Sequence, residues 1–98
     1  MKVFLFRQKF NLLGITANVY RVCTHSSKCA ENREFTKFEK RNGVWLVWVN
    51  DSVNRFETLD EVLNFVRNEV CKQVEFATQE KLTPNEIEIV GLNKIVED

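Results

Sequence analysis

Three side chains able to hold a soft metal, or to act together as nucleophile and base, fall within seven residues: Cys23, His25 and Cys29, with Cys71 further along the chain. Structural zinc takes Cys and His ligands in a tetrahedron, so these four are the candidate donors. Their spacing argues against the site. Paired knuckles use Cys-x-x-Cys because the short turn aims both sulfurs inward, whereas five residues separate Cys23 from Cys29 and no second knuckle follows. Cys23 and Cys71 read equally well as small core hydrophobes, and no metal is expected.

A thiolate nucleophile needs a nearby base, and His25 is placed to serve either cysteine. The supporting parts are missing from its surroundings: no Asn or Asp is set to orient the ring, and no glycine-rich oxyanion loop is present. Phosphate-cradling loops, serine elbows and calcium loops are absent as well. The chain is therefore expected to be non-catalytic and to need no cofactor.

Three cysteines are an odd number, and the apolar start Val3, Phe4, Leu5, Phe6 stops at Arg7. That run is shorter than the roughly seven to fifteen residues of a secretory signal. No stretch is long enough to span a membrane. Reduced thiols and a cytoplasmic location are the expectation, with no membrane partner.

The second chemistry-bearing set is aromatic and cationic. Eleven Phe, Trp and Tyr residues interleave with basic ones, as in Phe4, Phe6, Arg7, Lys9, Phe10 and again in Phe35, Lys37, Phe38, Lys40, Arg41. Rings and cations displayed on a sheet suit the stacking and phosphate contacts of a nucleic-acid binder. A net charge of zero weakens that reading. The zero is uneven along the chain: residues 1–43 carry nine Lys/Arg against three acids, a net of +6, and residues 44–98 carry five against eleven, a net of −6. If the halves form separate faces, the field steers a charged partner.

Position depends on the elements. Lys2 to Phe10 is β-prone with apolar residues on both sides, the pattern of a central or doubly covered strand, and Thr16 to Thr24 alternates as its hairpin partner. His25 to Arg33 has no period and reads as an exposed loop. Asn42-Gly43 between two β-prone runs predicts a type I′ turn and a hairpin from about Phe35 to Asn50. That turn pairs Lys40 with Trp45, Phe38 with Val47 and Thr36 with Val49 on one face, and Glu39 with Leu46 and Lys37 with Trp48 on the other. The first face reads as core; the second is either half covered or open to a ligand.

Thr58-Leu59-Asp60-Glu61 is a capping box that starts a helix at Leu59. Leu59, Val62, Leu63, Val66, Val70, Val74 and Ala77 keep helical spacing to about Lys81, although Val74 to Phe76 also suits a strand. Pro84 breaks the pattern, and Glu86 to Val96 alternates as a last strand. The expected fold is a single α+β domain over residues 1–98. It has a four- to five-stranded, mainly antiparallel sheet with two N-terminal hairpins and one long amphipathic helix on one face.

On this frame the expected function is a small non-catalytic protein-binding domain. Inhibitors and accessory factors of phages or other mobile elements work in that way, by occluding a surface of a larger protein. Trp48, Lys37 and Arg41 are the primary contact residues, with Leu46 and the loop residues Lys28 and Arg33 secondary, because aromatic and Arg side chains are enriched at interface hot spots. The alternative is a nucleic-acid binder using the basic first half. A homodimer would cover the same mixed face.

Overall fold

The computed structural model describes residues 1–26 and 34–97, apart from the side chain of Leu12. Five strands follow one another as an antiparallel meander: β1 (Lys2–Leu12), β2 (Ile15–Cys23), β3 (Glu34–Arg41), β4 (Val44–Val49) and β5 (Ser52–Phe56). The helix α1 (Leu59–Thr78) then crosses the sheet, and β6 (Glu88–Val90) adds to the far edge parallel to β1. The strand order is β5-β4-β3-β2-β1-β6, a mixed sheet of six strands where four or five were expected.

Turn chemistry accounts for the meander. Asn42 and Gly43 both take positive φ, 52° and 79°, and Leu13 and Gly14 repeat the pattern at the first hairpin. The register between β3 and β4 follows: Lys37, Phe38, Glu39 and Lys40 stand opposite Trp48, Val47, Leu46 and Trp45. The ladder ends at Lys37, so the expected Thr36–Val49 pair is not formed. A third tight turn, with Asn50 at φ 55°, returns the chain into β5, a strand the apolar pattern did not reveal.

Strand alternation places Val3, Leu5, Tyr20, Val22, Thr36, Phe38, Trp45, Val47 and Ile89 on one face, all buried. Tyr20, Phe38 and Trp45 form its centre, with ring centroids 5.2 to 6.4 Å apart. Helix α1 closes this face with Val62, Val66, Val70, Cys71 and Val74. The capping box forms as expected: Thr58 Oγ1 accepts from the Glu61 amide at 3.2 Å, and Glu61 Oε1 accepts from the Thr58 amide at 3.2 Å. Removing it with Thr58→Ala is expected to cost about 1 kcal/mol, read as a shift in the denaturant midpoint.

Three expectations need correction. The helix stops at Thr78 rather than near Lys81, because Gln79 turns left-handed and the Thr78 hydroxyl takes up the Val74 carbonyl. Within the helix, Ala77 is exposed and Leu63 only half buried, so the buried stripe is narrower than expected. The last strand is three residues long, not eleven. Its reach is cut by a 3-10 turn at Pro84–Glu86 before it and by Gly91 after it. Strand β1 is interior to the sheet, between β2 and β6, as one of its two readings had it, but no helix or strand among the described residues covers its second face, where Phe4 and Phe6 are half exposed.

Gly91 is a fixed requirement of the fold. Its φ of 102° suits only glycine, and an added Cβ would lie 3.0 Å from the Leu5 carbonyl oxygen. Gly91→Ala is expected to destabilise by about 1–3 kcal/mol, measurable by denaturant unfolding.

Candidate functional site

The second face of the sheet carries no helix or strand among the described residues. On an antiparallel sheet a solvated face ordinarily alternates to polar residues. Here Phe4, Phe6, Val19, Leu46 and Trp48 lie half buried on it, and Phe10, Val53 and Val90 are exposed beside them. Cross-strand pairing assembles one row from five strands: Phe6 opposite Arg21, Arg21 opposite Lys37, Lys37 opposite Trp48 and Trp48 opposite Val53. The adjoining row is Gln8, Val19, Glu39, Leu46 and Arg55.

Charge on this face is largely settled within it. Arg21 Nη1 donates to Glu34 Oε2 at 3.0 Å, Arg41 is paired with the buried carboxylate of Glu39, and Lys2 lies 4.0 Å from Glu88. Lys37 Nζ sits 5.2 Å from the centre of the Trp48 ring, a cation–π contact that holds both side chains in place. Arg21 Nε is buried without a hydrogen-bond partner among the described residues. Among the described residues, five strand cations on the face, Lys2, Arg21, Lys37, Arg41 and Arg55, thus meet three acids, Glu34, Glu39 and Glu88, for a net of +2. The helix opposite carries Asp60, Glu61, Glu69 and Glu75 against Arg67 and Lys72, a net of −2. Both faces draw on both halves of the sequence, with Arg55 and Glu88 on this one and Arg7 and Lys9 on the helix side, so the +6 and −6 halves do not form separate faces.

Of the residues expected to make contact, Trp48, Lys37 and Leu46 come together on this face. Arg41 lies at the hairpin end, turned onto Glu39. Lys28 and Arg33 lie outside the described residues. Phe6, Val19 and Arg21 were missed, since their place beside Lys37 and Trp48 depends on the pairing of β2 with β3, which no turn signal announces.

The cysteine and histidine readings separate. Among the described residues no three His, Cys, Asp or Glu side chains gather where they could hold a metal. Cys23 is disulfide-bonded, contrary to the expectation of reduced thiols; the second sulfur lies outside the described residues, as does Cys29. The thiol argument for a reducing compartment loses its basis there. Cys71 is a free thiol at the edge of the core, pushed up in pKa by burial and by the Glu86 carboxylate, which makes it a packing residue rather than an activated nucleophile. His25 is exposed at the end of β2.

A depression of about 660 Å³ opens between the tips of the two hairpins, where Tyr20, Glu39, Lys40, Arg41 and Val96 meet. Its charged groups are engaged within the chain, Glu39 with Arg41 and Lys40 over the Trp45 ring at 5.7 Å. Compared with known proteins, the chain matches no family model, no curated protein and no solved structure. No helix among the described residues is long and apolar enough to cross a membrane.

Proposed function

We propose that the protein is a non-catalytic protein-binding domain that presents the uncovered face of its sheet to a larger protein and occludes a surface of it, as an inhibitor or accessory factor of a phage or other mobile element would. The observation that carries this reading is the apolar and aromatic content of a sheet face that no helix or strand among the described residues covers. Trp48 is the anchor, clamped by Lys37, with Leu46 on the same strand and Val53 opposite it; Val19 and Phe6 continue the face on β2 and β1. An aromatic ring held rigid before binding loses little entropy when it docks.

Nucleic acid is the rival occupant, because the row Phe6, Arg21, Lys37, Trp48 alternates rings with cations. Phosphates need cations that are not already paired, and three of the five on this face are held by carboxylates of the same face. The protein partner is favoured for that reason.

The reading is tested by capture of the partner from host lysate with the wild-type chain and with Trp48→Ala and Arg41→Glu, before and after nuclease. Trp48→Ala is expected to weaken capture by about 2 kcal/mol, roughly thirty-fold, and Arg41→Glu less, since its guanidinium is already engaged. Unchanged capture by both folded variants would remove the face from the interface. Binding of oligonucleotides that falls steeply with salt would transfer the face to nucleic acid.

A further inference from the structure

Strand β1 is longer than the strand that flanks it. β6 pairs only with Lys2, Val3 and Phe4, whereas β1 continues to Leu12. Two bonds fix which backbone groups face that outer edge: the Glu88 amide donates to the Met1 carbonyl at 2.8 Å, and Lys94 Nζ donates to the Leu5 carbonyl at 3.3 Å. Backbone groups alternate in direction along a strand, so the main-chain groups of Arg7, Lys9 and Asn11 face the same side. No strand among the described residues pairs with them there.

We propose that this edge, from Phe6 to Leu12, is a strand-addition site for an extended segment of a partner protein in which acidic and apolar residues alternate; the proposal rests on the protein-binding reading above. Three observations choose the occupant. Arg7 and Lys9 stand exposed along the edge, and neither has a carboxylate partner among the described residues; Lys94 at its start is held by the Leu5 carbonyl and lies 5.4 Å from the centre of the Phe6 ring. Phe6 and Phe10 line the other side of the same strand, giving an added strand a cationic side and an aromatic side.

The chain itself supplies the third observation. β6 is an acidic and apolar segment, Glu88-Ile89-Val90, already added to the first part of this edge: Glu88 lies 4.0 Å from Lys2, and Ile89 is buried opposite Val3. The remaining part of the edge again offers cations and apolar side chains, with their faces exchanged: Arg7 and Lys9 on the helix side, Phe6 and Phe10 on the open one. Pairing of the edge with the same edge of a second copy would set Arg7 and Lys9 against their own kind, so the cations that blunt self-association select an acidic partner. The open length suits a strand of about six residues, near 20 Å.

The test uses a fluorescein-labelled peptide that repeats residues 86–90 of the chain, Glu-Ile-Glu-Ile-Val, preceded by a further Glu-Ile so that acidic and apolar residues keep alternating, with anisotropy and amide hydrogen exchange as readouts. The expected result is saturable binding that slows exchange at Arg7 and Lys9, is lost on N-methylation of alternate peptide amides, and weakens by about ten-fold or more in Arg7→Glu/Lys9→Glu. Both replaced side chains are exposed, so the double variant is expected to keep the wild-type circular dichroism. Absence of saturable binding to the wild type would overturn the proposal. So would binding that ignores N-methylation, which marks charge attraction without a strand. Binding that survives Arg7→Glu/Lys9→Glu but is lost in Trp48→Ala would place the peptide on the open face, overturning the edge and leaving the face reading intact.

Discussion

Trp45→Ala is expected to remove about 3–5 kcal/mol of stability, while Trp48→Ala, three residues on in the same strand, leaves the fold nearly unchanged. Trp45 is 1% exposed and packs against Phe38 at 6.0 Å and Tyr20 at 6.4 Å, so truncation opens a cavity that the surrounding strands cannot close. A domain of this size holds on the order of 5–15 kcal/mol in total, and the loss corresponds to a fall in Tm of roughly 15 °C or more. Trp48 points to the other face, half exposed, and its truncation withdraws surface that water already reaches. Urea unfolding of the two variants measures the contrast. Equal losses would mean that the second face is packed after all.

The largest effect is expected from Val66→Asp. Val66 is fully buried on α1, between Val62 and Val70 and against the sheet. A carboxylate there has no cationic partner, and its desolvation adds to the lost packing, for a cost of about 4 kcal/mol or more. Loss of the cooperative unfolding transition is the expected outcome, read by circular dichroism against denaturant. Asn68→Asp, two residues along and exposed, is the control and is expected to stay within about 0.5 kcal/mol of wild type. A Val66→Asp protein that melts like wild type would refute the orientation of the helix.

Acid adds a smaller, directional effect. The Glu86 carboxyl is held below its ordinary value by the Thr83 amide, which donates at 2.9 Å, then by the Thr83 hydroxyl. A depressed carboxylate contributes stability that is present above its unfolded pKa and is lost as pH falls through the folded one. The contribution is confined to the approach into β6, because Glu86 is at the surface and water screens it.

The parts of this fold that were legible in the chain are those with a local cause. Asn42-Gly43 set the β3–β4 register, and with it the separation of Trp45 from Trp48, because positive φ at two successive residues permits few other turns. Thr58 and Glu61 set the start of α1 through bonds within one helical turn. What escaped was decided over longer distances or by weak signals. β5, Ser52-Val53-Asn54-Arg55-Phe56, holds only two apolar residues and is a strand because β4 offers it an edge. β6 ends where Gly91 turns left-handed beside the Leu5 carbonyl, residues far apart in sequence. The same applies to the site: Lys37, Leu46 and Trp48 were readable from one hairpin, whereas Phe6, Val19 and Arg21 join them only through the sheet.

The most direct test of the central claim, that the uncovered sheet face is the binding surface, is photocrosslinking in the native host with a benzophenone side chain at position 48, and at position 68 on the exposed side of α1 as the comparison. The expected result is a discrete adduct of higher mass at position 48, resistant to nuclease and absent at position 68. An adduct at position 68 alone, or one at position 48 that nuclease abolishes, would contradict the account.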